Sequence, residues 1–254
     1  MTYLFHVLTL FPDVILSVAG HSILGRGIAA GAMAVVVHDI REHTTDRHRT
    51  ADDVPYGGGP GMVMKPEPVA RCLAAARAQA PGAIAVLLSA SGRPFDQETA
   101  RRYAAHEAGL ILVCGHYEGV DERIAEHYVD EELSIVDYVL SGGELAALVV
   151  LDATARLVPG VVGNRGSLAE ESHDAGLLEY PQYTRPATFE GHAVPDVLMS
   201  GNHAEVARWR REQAVAKTRR MRPDMGARIV EVVVEKRRGA PAPRRLGRPD
   251  DGHP

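Results

Sequence analysis

Four short stretches of this sequence concentrate the residue types that chemistry needs. LAEESHDAG, residues 168–176, packs Glu170, Glu171 and Asp174 around Ser172 and His173. A carboxylate placed there could take a proton as a general base. The same composition equally suits a solvated linker. Ser172, His173 and Asp174 are consecutive, so they cannot converge as a nucleophilic triad. PYGGGPGM, residues 55–62, sets Gly57, Gly58, Gly59 and Gly61 among Pro55 and Pro60. That density of glycine calls for positive φ angles and a close backbone approach to something, whether a tight surface loop or a seat for a planar base. It matches no phosphate-binding fingerprint. Just ahead of it, Arg47, His48 and Arg49 could meet phosphates, but the histidines have no partner at metal-ligand spacing.

The other two stretches each follow an apolar run. CGHYEGVDER (114–123) comes directly after LILV, and LSGGE (140–144) ends SIVDYV. Ligands of open α/β sheets sit beyond the carboxyl ends of the strands, where both glycine turns would lie. Either turn alone could be an ordinary strand-to-helix connection, with Asp121 capping the helix that follows. Two in succession, neither carrying a pyrophosphate fingerprint, point to a nucleoside-like cofactor held by backbone loops.

These loops need a scaffold, and the first 160 residues supply the pattern for one. Strands are predicted over YLFHVLTLF, AMAVVVHDI, AIAVLLSA, LILVCG and ELSIVDYVL. Helices are predicted over PDVILSVAG, PEPVARCLAAARAQA, DQETARRYAAHEAG, ERIAEHYVD and GELAALVVLDATARLVPG. The alternation predicts an α/β domain with a mainly parallel sheet and right-handed crossovers. Residues 163–176 read as a flexible interdomain linker. A basic helix, HAEVARWRREQAVAKTRRM, follows within a mostly helical second domain over 177–238, and 239–254 read as a disordered Pro/Arg-rich tail.

Composition narrows the partners. Residues 205–254 carry 14 Lys and Arg against 7 Asp and Glu, whereas the rest of the chain is acidic, for a net charge of −5. A basic segment on an acidic body suits a polyanion such as nucleic acid, or a solvated helix face. Two cysteines, Cys72 and Cys114, make no disulfide framework and suit a reducing cytoplasm. The N-terminal MTYLFHVLTLFPD has neither a basic flank nor a cleavage site, which argues against a secretory signal. No apolar run is long enough to span a bilayer.

Taken in order, PYGGGPGM, LVCGHYEGVDER, SIVDYVLSGGE, LLEYPQYTRP and LMSGNHAEVARWR resemble the bacterial tRNA (guanine-N(1)-)-methyltransferases, the TrmD family of the SPOUT superfamily. The resemblance runs from the N-terminus to about Arg222. It implies a deep trefoil knot in the α/β domain, an exception to the rule that chains do not thread. It also implies a homodimer with active sites shared between subunits, S-adenosyl-L-methionine as cofactor, tRNA as partner, and Mg2+ as a further candidate.

Carried over position by position, the cofactor loops comprise Leu88, Ser89 and Ala90, then Gly115, Tyr117, Glu118 and Gly119. The third comprises Ile135, Val136, Asp137, Tyr138, Val139, Leu140, Gly142 and Gly143. The target guanosine, 3′ to the anticodon and methylated on nitrogen 1, would sit near Gly57, Gly58, Gly59, Pro60 and Gly61. Ser167, Ser172, Gly201, Asn202, His203 and Arg210 complete the substrate set. Glu171 takes the place of the family's catalytic aspartate, with Arg156 as its electrostatic partner. Ala90, His116, Val136 and Ala146 also differ from the family's usual residues. They keep two rival readings open: a divergent relative acting on another RNA or a small heteroaromatic substrate, and a non-catalytic RNA-binding protein.

Overall fold

The computed structural model describes residues 2–163, 172 and 176–225. The chain forms two compact units, Met1–Arg165 and Gly166–Pro254. In the first, five strands form one sheet in the order β2-β1-β6-β5-β7: β1 (Tyr3–Thr9), β2 (Met33–Asp39), β5 (Ile84–Pro94), β6 (Leu110–Cys114) and β7 (Glu131–Ser134). Every pairing is parallel. Short strands β3 (Asp52–Asp53) and β4 (Val63–Met64) pair separately and antiparallel. The predicted α/β class with a parallel sheet is the one found.

The strands read as continuous apolar runs because both sheet faces are buried. Val86, Leu88, Leu110, Leu112 and Cys114 point to one side, where α1 (Pro12–Ala19), α2 (Ser22–Ala29), α4 (Gln97–Ala104) and α6 (Glu144–Ala155) cover them. Ala85, Leu87, Ile111 and Val113 point to the other, under α3 (Pro66–Gln79) and α5 (Glu122–His127). Asp96 and Asp121 start α4 and α5 by accepting hydrogen bonds from the backbone N–H groups of Thr99 and Arg123.

Two departures from the predicted elements bear on the site. The last strand was expected to run through SIVDYVL, but pairing stops at Ser134. Leu88 and Arg93 of β5 both stand opposite Leu133, so β5 bulges there. A Cβ on Gly92 would collide with the Leu133 backbone, and only glycine lets the two segments come so close. Residues 135–143 are thereby freed as a loop. The second departure is α2, which the sequence reading did not contain.

In the second unit, α8 spans His203–Met221, the span predicted for the basic helix. A short hairpin of β8 (Thr188–Phe189) and β9 (His192–Ala193) precedes α7 (Asp196–Met199), and neither was expected. Among the described residues, no helix is long and apolar enough to cross a membrane.

Candidate active site

Three loops leave the carboxyl ends of β5, β6 and β7 and wall a cleft of about 350 Å3. The volume falls in the range of small-ligand sites. Leu88, Ser89 and Ala90 line it from the first loop, and Gly115, Tyr117, Glu118 and Gly119 from the second. The third contributes Ile135, Val136, Tyr138, Val139, Leu140, Gly142 and Gly143. Asp137 alone of the expected cofactor set does not line it. Val136, Tyr138 and Val139 are exposed, Val139 at 87%. Apolar side chains left open to solvent beside a cleft mark a surface made for an apolar ligand face.

Glycine geometry holds the loops together. The Gly143 amide donates to the Gly115 carbonyl at 2.7 Å, and a Cβ on Gly143 would lie 2.7 Å from Cys114 Cα. His116 pairs with Gly142 in an isolated antiparallel bridge, and its ring occupies the space a Cβ on Gly142 would need. Tyr117 adopts a left-handed φ of 61°, with its ring edge-on to His116 at 5.2 Å between centroids. A non-glycine residue in that region stores a small strain and tends to occur at functional sites.

PYGGGPGM joins the same assembly. The Glu118 amide donates to the Met62 carbonyl at 3.0 Å, and Met64 exchanges backbone bonds with Gly119 and Asp121. Gly61 has a φ of +84°, and a Cβ there would strike the Glu118 carboxylate. The glycine loop of residues 57–61 therefore abuts the cofactor-loop segment 115–119.

A buried polar pair under the cleft went unnoticed in the sequence. Glu144, at the start of α6, is 5% exposed, and its Oε1 accepts a 2.6 Å hydrogen bond from the Thr9 hydroxyl. Its other oxygen lies 3.7 Å from His116 Nδ1, which is buried without a hydrogen-bond partner. Thr9 and Glu144 lie 135 residues apart, so no local pattern could have paired them. Nearby, burial raises the Cys114 thiol well above its ordinary pKa, and the Glu144 carboxylate adds to the rise. Burial likewise raises Cys72 to about 12, helped by Asp39 and Glu42. Both thiols stay protonated, and neither is an available nucleophile.

The remaining expected residues lie elsewhere. Arg156 caps the far end of α6 and does not line the cleft. It lies twelve positions beyond Glu144, about 18 Å at 1.5 Å per residue. Ser172 accepts a hydrogen bond from the Glu179 amide at 2.9 Å within the second unit. Gly201, Asn202 and His203 form the start of α8, where the Asn202 side chain caps the helix by accepting from the Glu205 amide. Arg210, further along α8, stacks its guanidinium over the Tyr180 ring. Glu171 and Ser167 lie outside the described residues. Among the described residues, no three His, Cys, Asp or Glu side chains gather as a metal site.

A parallel α/β sheet with a glycine-walled cleft at its strand ends places the chain in the class of open α/β proteins, whose ligands bind beyond the carboxyl ends of the strands. Within it, the chain belongs to the tRNA (Guanine-1)-methyltransferase TrmD family, which matches residues 3–228. It is 55% identical over 228 residues to the tRNA (guanine-N(1)-)-methyltransferase of Myxococcus xanthus, covering 90% of this chain and 92% of that protein. The protein of the same name from Geobacter sulfurreducens is 53% identical over 221 residues, covering 87% of this chain and 90% of its own length. That from Chloroflexus aggregans is 56% identical over 225 residues, covering 88% of each. The family resemblance read from the motifs is therefore borne out.

Proposed function

We propose that the chain is a tRNA methyltransferase that moves a methyl group from S-adenosyl-L-methionine to nitrogen 1 of the guanosine 3′-adjacent to the anticodon. The observation that carries this reading is the cleft. Three backbone loops at adjacent parallel strand ends meet around Gly142 and Gly143, where a Cβ would strike neighbouring atoms. The names of the relatives support the same reaction.

The cradle of Gly115, Gly142 and Gly143 with the open apolar faces of Val136 and Tyr138 suits the cofactor's nucleoside. When bound, S-adenosyl-L-methionine supplies a methyl on a positively charged sulfur, which leaves as a neutral thioether. Nitrogen 1 of guanine carries a proton at neutral pH and becomes a good nucleophile only as that proton departs. Glu171 accepts it as the new N–C bond forms, and Arg156 steadies the charge that develops. The loop of residues 57–61, fastened to Glu118, seats the extruded target base.

Arg156 lies a full helix length from the cleft of its own chain. In this reading the active site is shared between two copies of the chain, and Arg156 reaches it from the second copy. The knot that the family implies would take residues 135–143, past the end of β7, as its threaded segment. Cytoplasmic action follows from a tRNA substrate.

Glu171→Gln tests the mechanism. It should lower methyl transfer by at least about a hundredfold, while calorimetry shows cofactor affinity retained. Unchanged turnover would remove Glu171 from the reaction.

A further inference from the structure

One buried group at the cleft has no part in the proposed reaction. His116 belongs to the second cofactor loop, between Gly115 and Tyr117, and its ring reaches across to the root of the third. Its backbone bridges Gly142, and its ring fills the place of a Gly142 Cβ. Nδ1 of that ring is buried with no hydrogen-bond partner. A polar atom left in that state is costly. It stops 3.7 Å from the Glu144 Oε2. A protonated imidazole bonds a carboxylate at about 2.8 Å, so the two groups stand roughly 1 Å short of a charge-assisted hydrogen bond.

Glu144 is the fixed half of this pair. It opens α6, is buried, and is held by the 2.6 Å hydrogen bond from Thr9 at the end of β1. His116 is the half with room to move, because its loop has Gly115 on one side and the left-handed Tyr117 on the other. Glu144 is the carboxylate that α6 turns toward the ring. The Glu118 carboxylate of the ring's own loop lies against Gly61 instead. The start of α1 contributes the Phe11 ring at 5.0 Å, the loop itself the Tyr117 phenol at 5.2 Å, and β6 ends in the Cys114 thiol two residues earlier.

We propose that His116 is a positioning residue that latches the cofactor cleft: as the cofactor binds, a proton enters at Nδ1 and the ring closes on Glu144, drawing the second loop onto the third. The proton comes from solvent, no bond to carbon changes, and the closed pair is neutral overall, so it sets no net positive charge beside the cofactor's sulfonium. The proposal rests on the reading of S-adenosyl-L-methionine as the cofactor and couples its binding to a proton. The bound form holds one proton more than the free form, so affinity is greatest at low pH and falls as the pH rises.

Calorimetric titration of the full-length protein with S-adenosyl-L-methionine tests this, at pH 6 and pH 8 and in two buffers of different ionisation heat. The wild type should bind about tenfold more tightly at pH 6, the value of one hydrogen bond to a charged group, and should take up protons as it binds. His116→Gln and Glu144→Gln should each bind equally at both pH values and lose that uptake. Glu144→Gln keeps the side chain's shape and an oxygen for Thr9, so it separates loss of the latch from loss of packing. The ligand's own titrating groups are common to all three proteins, and the difference between wild type and variant isolates the latch. A purely structural histidine would weaken binding by the same factor at both pH values in His116→Gln and leave proton uptake unchanged; that result would overturn the proposal. Wild-type uptake in Glu144→Gln would overturn it too. Binding by the wild type that ignores pH removes the latch alone, whereas no binding at either pH refutes the cofactor reading together with the latch.

Discussion

Glycine side-chain absence does most of the work at the residue scale. Gly143 is fixed on two sides by main chain, with a Cβ there lying 2.7 Å from Cys114 Cα and 2.9 Å from the Gly115 nitrogen. Backbone cannot swing aside as a side chain can, so Gly143→Ala must part the second and third loops of the cleft. Calorimetry should find cofactor affinity reduced at least about tenfold, with the melting temperature falling by only a few degrees. Affinity equal to wild type would mean that the two loops are not what shapes the site. The glycines themselves were legible in the sequence as turns. Their partners were not, because Gly61 against Glu118 and Gly142 against His116 are contacts between segments. The choice of Glu171 among three neighbouring acids came from resemblance alone, since composition gives no ground for preferring one carboxylate over its neighbours.

Elements show where a pattern read along the chain succeeds and where it fails. The strands β1, β5 and β6 were plain because two buried faces make an unbroken apolar run. α8 was plain because Asn202 to Met221 is an unbroken run rich in Ala, Glu, Gln, Lys and Arg, with no glycine or proline. α2 was hidden by Gly25 and Gly27. Those glycines allow close packing: a Cβ on Gly25 would strike the Gly20 carbonyl, and one on Gly27 would crowd Val161 and Met33. In β7 the opposite happened. The apolar run of SIVDYVL looked like strand, but everything after Ser134 leaves the sheet and walls the cleft.

The pairing of β1 with β2 also contains a pH-sensitive contact. His6 is buried, and its Nδ1 lies 2.8 Å from His38 Nε2. One ring must donate and the other accept, so the contact cannot survive protonation of both. Burial, then repulsion from His38, holds His6 down at about 4 against an ordinary 6.5. Burial, with His43 nearby, lowers His38 in the same sense. A base depressed in the folded state contributes stability that is complete above about pH 6.5 and is lost as the pH falls toward 4. The wild type should lose on the order of 2 kcal/mol more than His6→Asn across that window, measured by denaturant unfolding. Parallel pH profiles for the two proteins would contradict this.

The whole molecule is a basic segment joined to an acidic, parallel-sheet domain, and in the proposed reaction two chains share each active site. Arg156 stands at the end of α6 away from the cleft, about a helix length from Glu144. Two inactive variants, Gly143→Val with an intact Arg156 and Arg156→Ala with an intact cleft, should therefore complement each other. After unfolding and refolding together in equal amounts, about a quarter of wild-type sites should be complete, because half the dimers are mixed and each holds one whole site. No recovery would place Arg156 and the cleft within a single chain.

The proposed reaction is specific both in the atom and in the nucleotide that receive the methyl group. Purified protein is given S-adenosyl-L-methionine and two tRNA transcripts that differ only at the nucleotide 3′ of the anticodon, guanosine in one and adenosine in the other. Nucleosides from each are then analysed by mass spectrometry. 1-Methylguanosine is expected from the first transcript and no methylated nucleoside from the second. Equal methylation of both, or a methylated product other than 1-methylguanosine, would contradict it.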